Sequence, residues 1–295
     1  MTQPFKVALI QTNSEREFAP NIAFVETMAR RARGEGAELI TTPEIVAMFE
    51  PRKALHLEKA RTEADHPALA AFRALAAELG AWFLVGSLSI KLGPTTMANR
   101  SFLVDPTGAV QASYDKIHMF DVDLAGGERY RESETYRPGD RAVTTELPWG
   151  RLGMTVCYDL RFPQLYRALA QAGADFLTIP AAFTRKTGLA HWHVLMRARA
   201  IETGCFVIAP AQCGTHAEGR QTYGHSLVAA PWGEVLADGG EEPGVTYATI
   251  DPARVAEARG MVPSLNHDRA FAAPDGGAPS DAGDDSRGML RRVAR

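Results

Sequence analysis

The stretch Gly153-Met154-Thr155-Val156-Cys157-Tyr158-Asp159-Leu160-Arg161-Phe162-Pro163 decides how this chain is read. Residues 154–156 read as the end of a buried strand, and a helical pattern follows over 164–172. A thiol therefore sits where a strand hands over to a helix. Rigid structure holds the sulfur there, and the N–H groups of the coming helix can bind an anion and favour a thiolate. The same position also suits a small buried hydrophobe, the usual role of a free cysteine. Position alone leaves both open.

Working outward, residues 143–147 and 151–156 flank Pro148-Trp149-Gly150 as a hairpin. After the thiol come a helix over 163–172, a strand over 175–179, a helix over 188–202 and a strand over 205–209. Upstream, residues 5–11 form a strand. A helix follows over 21–32 with Asn21 as its cap, then a strand over 37–42 that stops at Pro43-Glu44. An Ala-rich helix over 67–79 has Pro67 at its start and Gly80 past its end. Strands over 81–90 and 101–104 lead through Asp105-Pro106-Thr107-Gly108 into a strand over 109–114. A second strand–turn–strand of this kind, over 226–237 around Pro231-Trp232-Gly233, suggests an internal repeat of two half-domains. A strand spans 223–229, another 245–250, and a short helix 252–259. Residues 116–140 fit no regular element, and a loop of that length is usually functional or mobile. Alternating helices and strands with hairpins give an α/β fold with mixed sheets.

The chain has 295 residues, 45% hydrophobic and 23% charged, with a net charge of -3. That composition is globular and gives no electrostatic reason for a nucleic-acid or anionic-membrane partner. Apolar stretches such as 81–86 are too short to span a bilayer. The N-terminus reads as a strand rather than a signal peptide. Three cysteines (157, 205 and 213) are too few for a disulfide framework and suit a reducing, cytoplasmic setting. Periodicity fades from about Met261, and residues 273–288 have a flexible-tail composition before a basic end. The expected organisation is a catalytic domain over 1–268 and a flexible tail over 269–295.

Three residues share a local setting. Glu44, Lys116 and Cys157 each lie just beyond the carboxyl end of an apolar run. In open α/β sheets that edge binds ligands. Together they would make a working set: Lys116 favouring thiolate, Glu44 taking the thiol proton and returning it to a leaving group. Singly, a glutamate or lysine there is as well explained as a surface charge. His118, two residues past Lys116, allows a Cys–His pair. His191 and His193 do not share a helix face, and no further cluster has zinc-site spacing. Cys205 and Cys213 read as packing. Dinucleotide, P-loop and serine-hydrolase motifs are absent.

The segments Thr41-Thr42-Pro43-Glu44, Tyr114-Asp115-Lys116-Ile117-His118-Met119-Phe120-Asp121 and Val156-Cys157-Tyr158-Asp159-Leu160-Arg161-Phe162-Pro163 resemble the three catalytic blocks of the nitrilase, or carbon–nitrogen hydrolase, superfamily. The likeness covers about residues 5–268. It implies a four-layer α-β-β-α sandwich with two mixed sheets and internal pseudo-two-fold symmetry, paired into a homodimer or higher homo-oligomer. It also implies Glu44 as general base, Lys116 as cationic stabiliser and Cys157 as nucleophile, with Glu132 as a second glutamate; Glu128 and Glu134 lie close by. The N–H of Tyr158 would help hold the oxyanion.

Ala181-Ala182-Phe183, Thr187-Gly188 and Arg197-Ala198-Arg199-Ala200-Ile201-Glu202 resemble the small-amide branch that contains omega-amidase and deaminated-glutathione amidase. Ala211-Gln212-Cys213-Gly214, Tyr223-Gly224-His225-Ser226 and Pro231-Trp232-Gly233 look closer to the latter. The implied reaction is hydrolysis of a small carboxylated amide to acid and ammonia through a thioester, with no metal or organic cofactor. Arg161, Phe183, Thr184 and Arg185, with Lys186 beside it, would contact substrate; Arg suits a carboxylate. Other outcomes are an omega-amidase, an N-carbamoyl amidohydrolase, a true nitrilase, or a non-catalytic binding member of the fold.

Overall fold

The computed structural model describes residues 3–124 and 127–270. The chain through Leu265 forms one compact unit. The expected flexible stretch 273–288 and the basic end lie outside the described residues.

The first half runs β1 (Phe5–Gln11), α1 (Phe18–Gly34), β2 (Leu39–Thr41), α2 (Lys53–Lys59), α3 (Pro67–Leu79), β3 (Trp82–Lys91), β4 (Met97–Val104) and β5 (Val110–Asp115). A small ribbon follows, β6 (Asp121–Asp123) and β7 (Arg129–Arg131). The second half runs β8 (Val143–Leu147), β9 (Gly150–Met154), α4 (Pro163–Gln171), β10 (Phe176–Thr178), α5 (Arg185–Thr203) and β11 (Phe206–Ala209). It continues with β12 (Cys213–Thr215), β13 (Gln221–Tyr223), β14 (Leu227–Ala229), β15 (Val235–Asp238), β16 (Gly244–Ile250) and α6 (Ala253–Met261).

Two six-stranded sheets result, ordered β16-β1-β2-β3-β4-β5 and β15-β14-β11-β10-β9-β8. In the first, β1, β2 and β3 are parallel, with β16 and β4 antiparallel on either side. In the second, β9, β10 and β11 are parallel, with β8 and β14 antiparallel. The expected repeat is thus a repeat of topology. Its matching parts include the two hairpins that suggested it, β4–β5 and β14–β15.

Alternation along β1 separates the layers. Val7 and Leu9 enter a core shared with Met154, Phe176 and Val207 of the other sheet. Ala8 and Ile10 pack instead on Val25 and Ala29 of α1 and Phe72 of α3. Leu165 and Leu169 of α4 and Trp192 and Met196 of α5 belong to the first core. The layers are helix, sheet, sheet, helix. Each large side chain buried this way contributes about 1.5–3 kcal/mol relative to exposure. A one-residue slip of β1 would exchange its two sets of faces, so the register is firmly specified.

Some local expectations fail. Helix α1 starts at Phe18 with Glu17 at the N-cap position, its side chain making no capping bond, so Asn21 is not its cap. Asn21 is buried and donates to the carbonyls of Glu15, Glu17 and Ala47, tying the β1–α1 loop to the chain beyond Glu44. The strand expected over 223–229 is broken because Gly224 and His225 are left-handed, with φ 74° and 56°. Residues 116–140 hold the β6–β7 ribbon and a one-turn helix, Glu132–Glu134.

Candidate active site

Glu44 lies three residues past β2, and its loop rests on a bulge in β3. At Gly86 a Cβ would stand 1.9 Å from the Thr42 carbonyl oxygen, so only glycine lets the two backbones meet. The Gly86 N–H donates to Thr42 Oγ1 at 3.0 Å, Ser87 N–H to the Pro43 carbonyl at 3.2 Å, and Ile45 N–H to Ser87 Oγ at 2.9 Å. Ile45 is left-handed at φ 52°, a strained state for a β-branched residue. From the second sheet's side, Gln212 Nε2 donates to the Glu44 carbonyl at 3.0 Å.

Lys116 is the first residue after β5. Its Nζ donates to Glu44 Oε1 at 2.9 Å and to the Glu132 carboxylate at 2.9 and 2.8 Å. Asn99, on β4, donates from Nδ2 to both acids, at 2.9 Å to Glu44 and 3.1 Å to Glu132. Glu132 also accepts from the Phe120 N–H at 2.7 Å. Of the three neighbouring glutamates in that loop, Glu132 is the one that meets Lys116; Glu134 faces Lys53 and Glu128 faces Tyr130.

Cys157 follows β9 by three residues and opens a one-turn helix, Cys157–Arg161, at φ 48°. Its N–H donates to the Pro180 carbonyl at 2.9 Å. Buried Asp159 pins this turn to the Lys116 loop. It accepts from Val156 N–H, Tyr114 Oη and His118 N–H at 2.9, 2.7 and 3.0 Å, and pairs with His118 Nδ1 at 2.7 Å. His118 therefore serves Asp159, not the thiol, and stacks on Phe162. The Cys–His pairing is overturned.

The Cys157 thiol and the Glu44 carboxylate face one cavity, close enough for each to shift the other's proton affinity. Burial pushes the thiol well above its ordinary range, and the Glu44 charge adds to this against the pull of Lys116. Burial would raise Glu44 too, but Lys116, the thiol and the Ala182 N–H at 2.7 Å outweigh it and hold the carboxyl below 4.5. Burial would lower Lys116, yet Glu132 and Glu44 keep the ammonium well above its usual range. The resting set is thiol, carboxylate and ammonium. The helix terminus and Lys116 favour thiolate, but burial and the adjacent carboxylate outweigh them, so the proton that Glu44 was expected to take is on sulfur.

These groups line a cavity of about 580 Å³, within the usual range for small-molecule sites. Glu44, Lys116, Glu132, Cys157, Tyr158, Phe183 and Thr184 all face it. Arg161 and Arg185 are not in its lining. The Arg161 guanidinium lies over the Tyr158 and Phe183 rings, 5.8 and 5.3 Å from their centroids. Arg185 pairs with Glu241 at 2.9 Å and borders an outer recess with Lys186. Residues that the sequence did not single out complete the walls, among them Phe49, Tyr130 and Arg220. Away from the cavity, His193 and His225 both bond Asp238, with ligand atoms within 4.8 Å of one another. That constellation was invisible in sequence spacing.

Residues 6–260 match the carbon–nitrogen hydrolase family. The chain belongs to that family. It is an amidase-type hydrolase of carbon–nitrogen bonds in the nitrilase superfamily. It is 40% identical over 266 residues to a Yersinia enterocolitica protein named deaminated glutathione amidase, covering 89% of this chain and 92% of that one. The crystal structure of the Caenorhabditis elegans NitFhit protein superposes with a TM-score of 0.86 at 36% identity, over 91% of this chain and 66% of that one. An amidase from Nesterenkonia sp. AN1, in a Glu-to-Gln variant, superposes with a TM-score of 0.74 at 26% identity, over 88% and 98%. That structure shows Michael addition of acrylamide at its active-site cysteine.

Proposed function

We propose that this enzyme hydrolyses a carboxylated amide through a Cys157 thioester, and that its substrate is deaminated glutathione. The observation that carries the chemistry is an ionised Glu44 bonded to the Lys116 ammonium at 2.9 Å, with the Cys157 thiol beside them in one cavity. Glu44 takes the thiol proton as sulfur attacks the carbonyl carbon. The oxyanion is held by Lys116 and by the Tyr158 N–H, which has no acceptor among the described residues. The carbon–nitrogen bond breaks, Glu44 gives its proton to the departing nitrogen, and a thioester remains. Water, deprotonated by Glu44, then releases the acid and the thiol. Glu132 and Asn99 position Lys116 and Glu44.

The name of the Yersinia relative supports the substrate. Glutathione has two backbone amides and no primary amide. Cleaving the bond to its cysteine therefore releases cysteinylglycine, an amine, and not the ammonia expected from the sequence. The test is a panel: cysteinylglycine from deaminated glutathione, and ammonia from alpha-ketoglutaramate, N-carbamoyl amino acids and simple nitriles. Mass spectrometry of briefly exposed enzyme should find an acyl adduct on Cys157. Fastest turnover of another panel member reassigns the substrate; the absence of any adduct or turnover sinks the thioester and favours a binding protein.

Exposed Val194 and Ile201, two turns apart on α5, and Trp232, next to the Gly233 that abuts Ile201, support pairing of two copies through this face, which sedimentation would read. The three unpaired, buried cysteines support a reducing, cytoplasmic location.

A further inference from the structure

We propose that Arg220 anchors the substrate's glycine carboxylate, at the point where the cavity opens into its outer recess. This rests on deaminated glutathione being the substrate. Arg220 lines both spaces, together with Pro51, Arg129 and Tyr130. It is therefore at the mouth, away from the Cys157 end. In deaminated glutathione the longer half is the dipeptide, and its carboxylate is the group farthest from the reacting amide.

Five cationic side chains line the cavity: Lys53, Lys116, Arg129, Arg131 and Arg220. Lys53 pairs with Glu134, Lys116 with Glu44 and Glu132, and both Arg129 and Arg131 with Asp123. Among the described residues Arg220 has no acid partner. The acids nearest in sequence or across the cavity are engaged elsewhere: Glu218 with Arg16, and Glu50 with Arg52 and Lys59.

The guanidinium is nevertheless held. It lies between Phe49 and Tyr130, 4.9 and 5.0 Å from the ring centroids. Its Nε is buried with no hydrogen-bond partner among the described residues. A cation held by two rings, facing the cavity and lacking an acid partner, can offer its terminal N–H groups to a planar carboxylate. The two rings add cation–π attraction but leave the in-plane N–H groups unused.

The test uses the full chain and two substrates, deaminated glutathione and its derivative with the glycine carboxylate converted to a carboxamide. Arg220→Gln should raise KM for the acid about 10–100-fold with kcat little changed. KM for the carboxamide should stay within about threefold, since that ligand never had the charge-assisted pair. Arg220→Lys, which keeps the charge and loses the fork, should fall between, and carries the test alone if the glutamine variant does not fold. Equal losses on both substrates, or no loss on the acid, overturn the assignment.

If the wild type cleaves neither compound, the substrate proposed above has failed, and calorimetry reads Arg220 separately. Cys157→Ala, with and without Arg220→Gln, is titrated with the same pair. A preference for the acid that the arginine change abolishes supports the anchor. No preference, or no binding, overturns it.

Discussion

Lys116 Nζ donates to Glu44 Oε1 at 2.9 Å, and the Cys157 thiol beside that carboxylate keeps its proton. Burial sets the direction for the thiol, and the Glu44 charge reinforces it. Sulfur cannot attack until Glu44 accepts that proton. The two residues therefore act as one nucleophile, and Lys116 stabilises the pair's negative charge wherever it resides.

This division of charge predicts two separable effects of Glu44→Gln. Amide turnover should fall by about 10²–10⁴, because no base or acid remains. The thiol, freed from the carboxylate that raised it and still beside Lys116, should become more acidic. Alkylation by iodoacetamide at neutral pH should then match or exceed the wild-type rate. Loss of alkylation alongside turnover would contradict the charge assignment. In the wild type, Glu44 is held below its ordinary value of 4.5. It stays ionised as pH falls, so the acid limb of kcat/KM should lie below 4.5 in pH-jump assays shorter than unfolding.

Asn99 holds the two glutamates at one amide nitrogen, at 2.9 and 3.1 Å. Without it, Lys116 would be left to bridge them, with the Phe120 and Ala182 N–H groups each holding one acid. Asn99→Leu should lower kcat about 10–100-fold, the cost typical of a small misplacement of reacting groups, with KM little changed. Asn99→Asp should be worse, since it adds a third acid where two already repel. Steady-state kinetics on the same amide separate these outcomes.

Gly86 lies remote from the chemistry yet sets where Glu44 stands. Gly86→Ala would place a methyl 1.9 Å from the Thr42 carbonyl oxygen, and backbone must move. Stability should drop by about 1–3 kcal/mol, as for other overpacked sites, and turnover should fall with it. Gly93→Ala is the control, because nothing lies within 4 Å of its Cβ position. Thermal melts and turnover of both variants check this.

What the sequence made legible was punctuation. Helix α3 was readable end to end because Pro67 opens it and left-handed Gly80 closes it. Glu44, Lys116 and Cys157 stood out because apolar runs stop just before them. Asn99 gave no such signal: it is one of three consecutive polar residues in β4, and its partners are 55 and 33 residues away. Arg220 sits in a turn after Gly219 that reads as surface, until Phe49 and Tyr130 of β7 close on it from distant parts of the chain. Arg185 misled in the opposite sense. It is near Phe183 in sequence, but α5 begins there and carries its side chain out to Glu241. How strongly the thiol holds its proton was not legible, because a helix terminus is a local feature, whereas burial depends on the whole fold.

Acid should unfold this protein from histidines as well as carboxylates. Burial lowers His56, His66 and His216 from 6.5 to about 4. Between those values an unfolded chain binds protons that the folded chain refuses. Stability therefore rises with pH across the window and is lost as pH falls from 6.5 towards 4. Each group is worth on the order of 3 kcal/mol at the acid end, taking about 1.4 kcal/mol per pH unit. Melting temperature should accordingly drop steeply from pH 6.5 to 4, before most carboxylates have titrated. His66 is the cleanest to remove, because its Nδ1 is buried without a partner among the described residues and its ring packs edge-on against Phe18. His66→Phe keeps the aromatic contact and deletes the titrating group, so it should flatten the slope while leaving the neutral-pH melt close to wild type. A slope unchanged by His66→Phe would mean that the ring is protonated in the folded state, with its burial relieved by local opening.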